Sequence, residues 1–184
     1  MKVSANTINV HYLLGLTNKM VVPSYQREFC WGKKKQELFL DSLEKEIPTG
    51  IISLRNHGNR IEVIDGLHRL KMFNRILRGE GVYFDVENER LTLEGGNFDY
   101  SEYQKEDLTV LFIAKKYEEI ELLSKLANSI QKVYNLRIPF IEYEGTDEEV
   151  RQAFERINMK GVQFTPQFTQ IGGEIPLSEY LRIK

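Results

Sequence analysis

One stretch constrains this chain more than any other: Ile61-Glu62-Val63-Ile64-Asp65-Gly66-Leu67-His68-Arg69-Leu70. An apolar strand runs into Asp65-Gly66 and a helical pattern begins at once, so the backbone must turn from strand to helix within a residue or two. Gly66 has no side chain and lets a ligand approach the backbone. A helix N-terminus presents unpaired amides and the positive end of its dipole, which suits a phosphate or another anion. Arg69, one turn in, can add a bidentate, charge-assisted contact to phosphate oxygens. His68 can donate to a phosphate or move a proton near neutral pH. Asp65 can orient a water, hold a magnesium ion or pair with an arginine. Each residue also has an ordinary use: Asp65 as an N-cap, Gly66 as a tight turn, Arg69 on a solvated surface. Alone, the segment favours those uses, because short motifs recur by chance.

The pattern around it is α+β. The first twenty residues read as a short strand and helix leading into Met20-Val21-Val22-Pro23. Lys33 to Glu46 repeats Leu38, Phe39, Leu43 and Ile47 at near-helical spacing, and Pro48-Thr49-Gly50 ends it. Ile51 to Leu54 and Arg60 to Ile64 read as paired strands around Asn56-His57-Gly58-Asn59. Leu67 to Leu77 is helical with Gly79 as its C′ stop. Val82 to Val86 and Arg90 to Leu93 form a hairpin, and Lys115 to Tyr134 is the clearest helix. Ile138 to Tyr143 is a strand whose Pro139 suggests an edge or a strand start. Thr146-Asp147-Glu148-Glu149 is a capping box opening a helix that carries Val150, Phe154 and Ile157 inward. Short strands mixed with helices, without strict alternation, predict a small mixed sheet with packed helices. The expected organisation is one domain over residues 1–170 and a C-terminal tail over 171–184.

Two further segments carry polar candidates. Val22-Pro23-Ser24-Tyr25-Gln26-Arg27-Glu28-Phe29-Cys30-Trp31 reads as a rigid extended loop. Arg27 is a second phosphate candidate there, and Gln26 a partner for base or phosphate. Tyr25 and Trp31 are expected to be packing anchors. Ala153 to Thr165 contains a helix end at Asn158 and a turn through Gly161. Asn158 either satisfies the helix end or faces a ligand.

Composition narrows the function classes. A net charge of −2 and a pI near 6.0 argue against gripping DNA by diffuse charge, since phosphate neutralisation calls for a basic excess. Lys33-Lys34-Lys35 is the one basic run that could touch DNA, and otherwise a solvated helix start. The single cysteine, Cys30, forms no internal disulfide, and three histidines without close spacing give no readable metal site. No leader or membrane-spanning run is readable, so a cytoplasmic setting is expected.

Together these segments resemble the N-terminal domain of GmrSD-type restriction endonucleases. That family carries I-P-x-Y-Q-R-x-x-x-W, a helix and a G-x-I-x-L-like strand, I-D-G-Q-Q-R-L, and later F-x-R-I-N-x-x-G-x-x-L-T. This chain has VPSYQREFCW, TGIISL, VIDGLHRL and FERINMKGVQFT in the same order, over about Val21 to Thr165. The resemblance implies a ParB/sulfiredoxin-like fold in which the D-G-Q-Q-R region binds and helps hydrolyse a nucleoside triphosphate, with magnesium. Matched by position, Asp65 and His68 become the catalytic candidates, and Gln26, Arg27, Gly66, Arg69 and Asn158 the nucleotide-binding ones. Leu67-His68 stands where the family has Gln-Gln, which leaves phosphotransfer open beside hydrolysis. The H-N-H-like nuclease half of such enzymes is not found here, so cutting would need a separate nuclease subunit or this domain itself.

The leading expectation is a nucleoside-triphosphate phosphohydrolase or phosphotransferase domain in DNA processing or phage–host conflict. The alternatives are a non-catalytic module that senses nucleotide or DNA for a partner nuclease, and a small ParB-like nuclease.

Overall fold

The computed structural model describes residues 1–102, 117–159 and 173–183, excluding the side chains of 117–120 and 157–159. In chain order the elements begin with β1 (Lys2–Asn9), α1 (Val10–Gly15), a 3-10 turn (Thr17–Lys19), β2 (Met20–Val22) and α2 (Lys33–Glu44). The hairpin β3 (Ile52–His57) and β4 (Arg60–Asp65) leads into α3 (Leu67–Arg78). Then come β5 (Tyr83–Asp85), β6 (Arg90–Thr92), β7 (Phe98–Asp99) and α4 (Tyr117–Asn135). The described chain closes with β8 (Arg137–Glu144), α5 (Asp147–Met159), β9 (Ile175–Pro176) and α6 (Leu177–Tyr180). This is the α+β class that the sequence pattern predicts.

The chain divides into two compact units. Met1–Cys30, Gly50–Lys71 and Arg137–Lys184 make the first, and Trp31–Thr49 with Met72–Leu136 the second. Residues 1–170 contribute to both, and the described part of the tail belongs to the first.

The first unit is built on a six-stranded mixed sheet of order β1-β8-β3-β4-β2-β9. The β3–β4 hairpin turns through Gly58 at φ 63, a left-handed conformation that glycine adopts without strain. Its register sets Leu54 against Val63 and Arg55 against Glu62. Strand β3 runs on to His57, beyond the apolar run that marks it in the sequence, because its polar end keeps pairing with Arg60 to Glu62. Strand β8 is interior, between β1 and β3, so the edge position is not the one found; Pro139 lies near its start, opposite Thr7 of β1 and ahead of the stretch Phe140 to Tyr143 that pairs with β3. On one sheet face Ile64 and Tyr143 meet Val150 and Phe154 of α5, with Tyr25, Ile141 and Ala153 packed around them. Helix α5 opens with the expected capping box: Thr146 N–H donates to Glu149 Oε2 at 2.9 Å, and Glu149 N–H to Thr146 Oγ1 at 3.3 Å.

The C-terminal segment is held by a buried cation. Lys71, on α3, donates its Nζ to the carbonyl of Tyr180 at 3.1 Å and to that of Ile183. Its ammonium also lies 5.1 Å from the Tyr180 ring centre and 5.9 Å from that of Phe29. Lys71→Met keeps the stem but removes the donor from two carbonyls. It should lower unfolding free energy by about 1–3 kcal/mol and speed proteolysis of the tail. Unchanged proteolysis and unfolding would refute this latch.

In the second unit α2 buries Phe39, Leu40 and Leu43, each worth roughly 1.5–3 kcal/mol when removed from water. Phe39 meets Phe73 edge-on at 5.2 Å and Trp31 at 5.3 Å, so Trp31 is the packing anchor expected of it. The helix ends when Glu46 takes φ 56 and Ile47 N–H returns to Ser42 O at 2.8 Å. That stop precedes Pro48, the residue that signals it in the sequence. At the C-terminus of α3, Gly79 takes φ 65, the C′ stop expected from sequence, and Tyr100, fully buried, donates its hydroxyl to Ile76 O at 3.0 Å. Within the basic run, Lys33 pairs with Glu94 and Lys35 lies over the Trp31 ring at 4.9 Å.

Candidate functional site

Strand β4 ends at Asp65, Gly66 turns at φ 96, and α3 starts at Leu67. The turn is closed by Leu70 N–H donating to Gly66 O at 3.0 Å. A Cβ on Gly66 would lie 2.3 Å from Ile52 Cδ1 and 3.2 Å from Arg69 Nη2. Glycine is therefore required twice, by the dihedral and by the space.

Arg69 crosses back over this turn. Its Nη2 donates to Asp65 Oδ2 at 2.7 Å and to Ile51 O at 2.7 Å. The Arg69 side chain as a whole is 15% exposed, against 37% for that of Asp65. Gly50, at φ 99, leaves room for it, since a Cβ there would sit 2.3 Å from Arg69 Nη1. Two glycines from different segments thus flank one guanidinium. In the sequence Gly50 reads as part of a helix stop and as the first residue of the G-x-I-x-L-like match, and neither reading signals this duty toward Arg69.

The 23–30 loop is laced to the same strand-to-helix turn. Gln26 is buried, and its Nε2 donates to Val63 O at 3.1 Å and Ile64 O at 2.7 Å. The amide nitrogen expected to meet a ligand is thereby bonded to the last turns of β4. At the loop's other end Cys30 N–H donates to His68 Nε2 at 3.1 Å, with Cys30 Sγ 3.2 Å from the same nitrogen. The Phe29 ring lies 5.4 Å from the imidazole. The backbone N–H and the thiol of Cys30 thus meet at one ring nitrogen, and the role of the thiol there depends on the imidazole tautomer. Arg27 sits between the two anchor points, half-buried.

Arg27, Glu28 and Cys30 all act electrostatically on Tyr180 of α6. Its phenol is raised above the ordinary tyrosine value, by burial first and by Cys30 and Glu28 next, with Arg27 opposing. The hydroxyl is buried without a hydrogen-bond partner among the described residues. Neither Tyr180 nor Cys30 is a candidate by sequence pattern, the first because its tail has no recognisable motif. Asp65, Gly66 and Arg69 are therefore joined by direct contacts, Gln26 is bonded to the two β4 residues just before Asp65, and His68 is tied to Cys30, with Arg27 on the same loop. Asn158 falls in the last turn of α5, and its side chain lies outside the described residues, as does Gly161.

The fold and the turn define a small α+β domain whose strand-to-helix join at Asp65-Gly66 carries a clasped arginine. The chain matches the family model described as GmrSD restriction endonuclease, N-terminal domain, over residues 10–169, and it belongs to that family. Membership ties it to DNA restriction, that is, to DNA processing or phage defence. No curated protein matches it significantly. No helix among the described residues is long and apolar enough to cross a membrane.

Proposed function

We propose that the Asp65–Gly66 turn binds the phosphates of a nucleoside triphosphate and that the domain hydrolyses or transfers the terminal phosphate in DNA restriction. The observation that carries this reading is the Arg69 guanidinium held over Gly50 and Gly66 at the start of α3. A guanidinium pinned beside a helix N-terminus is placed to receive phosphate oxygens, which would have to displace Asp65 from it. Arg27 would add a second cation from the 23–30 loop. Asp65 would orient the attacking water or a metal ion.

Among the described residues no three His, Cys, Asp or Glu side chains cluster to hold a metal. A magnesium ion would therefore be held by phosphates and water, with Asp65 as the one carboxylate, a usual arrangement for this ion. It would neutralise phosphate charge there. A separate nuclease subunit and DNA are the partners this reading calls for.

A second reading rests on the engagement of both catalytic candidates. Asp65 is bonded to Arg69, and His68 Nε2 accepts from Cys30. Those bonds favour a module that senses nucleotide or DNA for a partner nuclease without turnover. Phosphate release from each of the four triphosphates with magnesium separates the readings. Arg69→Ala should weaken nucleotide affinity by about 1.5–3 kcal/mol, roughly tenfold to a hundredfold. Lys34→Ala, on the exposed start of α2, should change it little. Equal losses in the two variants would sink the site reading, whereas binding without phosphate release would select the sensor.

A further inference from the structure

The β3–β4 hairpin, the first turns of α5 and the loop at residues 23–25 enclose a recess of about 530 Å³ in the first unit. It opens beside Arg60 and Glu62, at the hairpin end of β4, whereas Asp65 lies at the strand's other end. Its volume falls in the range of small-molecule sites. We propose that this recess is a second binding site, shaped for the edge of a nucleobase that carries a carbonyl next to an N–H.

Two buried donors point to the carbonyl. Arg55 is 5% exposed, with Nη1 donating to Glu62 Oε2 at 3.0 Å and Nη2 donating to Gly145 O at 2.8 Å and pairing with Asp147 Oδ1 at 2.7 Å. Its Nε is buried with no partner among the described residues, and so is the Tyr25 hydroxyl. Both residues line the recess. An unpaired buried donor costs roughly 1–3 kcal/mol; both atoms are covered in this structure, so an acceptor that parts the wall of the recess and reaches them recovers that cost. Tyr25 is held in place by its ring, which packs on Phe154 at 4.9 Å. Burial first, then the charge of Glu62, raises its phenol above the ordinary tyrosine value, with Arg55 opposing and Asp147 adding to the rise. The hydroxyl therefore remains a donor at all working pH values.

The charges select against phosphate. Arg55 is shared by two carboxylates, Glu62 and Asp147, and Arg60 is paired with Glu174 at 2.7 Å. Arg151, the third arginine of the lining, is paired with Glu148 at 3.0 Å, so none of the three is in excess for an anion. The lining carboxylates can accept from an amino or imino N–H beside a carbonyl, and Pro23 and Val150 add apolar wall. A row of donors next to acceptors complements the Watson–Crick edge of guanine or thymine. This site does not rest on the reading of the Asp65 turn. The base can come from a free nucleotide or from a base turned out of a DNA strand.

Nucleosides test the recess without engaging a phosphate site. Guanosine and thymidine, titrated into the whole chain and followed by calorimetry, should bind about tenfold more tightly than adenosine, which has no carbonyl. Tyr25→Phe should weaken the preferred nucleoside about tenfold, the worth of one hydrogen bond, while its unfolding midpoint is unchanged or raised. Lys34→Ala, at an exposed position outside the recess lining, should leave nucleoside binding as it is. Single-stranded oligonucleotides form the second arm. Tyr25-dependent binding of the oligonucleotides alone identifies DNA as the source, and Tyr25-dependent binding of free nucleosides identifies nucleotide. The proposal fails if neither probe binds, if Tyr25→Phe leaves both unchanged, or if Tyr25→Phe lowers the unfolding midpoint, since its hydroxyl would then already have a partner.

Discussion

Gly66→Ala is expected to lower the stability of the chain by about 3–5 kcal/mol. A non-glycine residue held at positive φ costs about 1–3 kcal/mol, and the new methyl would lie 2.3 Å from Ile52 Cδ1 in a fully buried site. Relieving that contact moves Ile52 out of its packing, an overpacking cost of about 2 kcal/mol. For a chain of this size the sum corresponds to a melting temperature lower by roughly 6–20 °C. Ile52→Val removes Cδ1 and should by itself cost about 0.5–1.5 kcal/mol. Combined with Gly66→Ala it should recover part of the loss, so a double-mutant cycle isolates the steric share. If the two effects simply add, the dihedral alone is responsible. If Gly66→Ala is neutral, the tight turn described here is wrong.

Arg55→Ala is the second large effect, at about 3–5 kcal/mol, because it leaves Glu62 as a mostly buried carboxylate without its cation. The loss should depend on pH. The hydrogen bond from Arg55, and then its charge, hold the Asp147 carboxyl below the ordinary aspartate value. A lowered folded value means the contribution is fully present above the unfolded value near 3.9 and is lost as pH falls through the folded one. The gap between parent and variant should therefore narrow below about pH 4. Asp147 is exposed, at 86%, so added salt should weaken this part of the effect. Denaturant unfolding of both proteins at pH 7 and pH 3 measures it. A gap that widens in acid would contradict the assignment.

What could be read from the sequence was local. The turn at Asp65-Gly66 was legible because an apolar run, a glycine and a helical period are adjacent, and backbone sterics at that join leave one arrangement. The box at Thr146 to Glu149 was legible for the same reason: both bonds span three residues. What escaped depends on partners far along the chain. Gln26 looks like a polar loop residue, and its burial comes from the carbonyls of Val63 and Ile64. Arg55 reads as the polar end of a strand, yet α5 and Glu62 cover it. Gly50 gains its second role only because Arg69 folds back from nineteen positions later. His68 was a proton-transfer candidate by residue type, and its bond from Cys30 could not be seen without the loop's path.

The strand order has a consequence for how the molecule is made. The six-stranded sheet interleaves early and late segments: among the described residues β1 pairs only with β8, and β3 lies between β8 and β4. As the chain leaves the ribosome, residues 2–9 have no strand to pair with until residues 137–144 follow. All of the second unit is synthesised inside that interval. Domains generally fold as units while they are made, so the inserted helices and hairpin can settle first. The sheet is assembled last, by pairings of high sequence separation that fold slowly. During that wait β1, with Val3 half exposed even in the finished fold, is the segment a holding chaperone would be expected to shield.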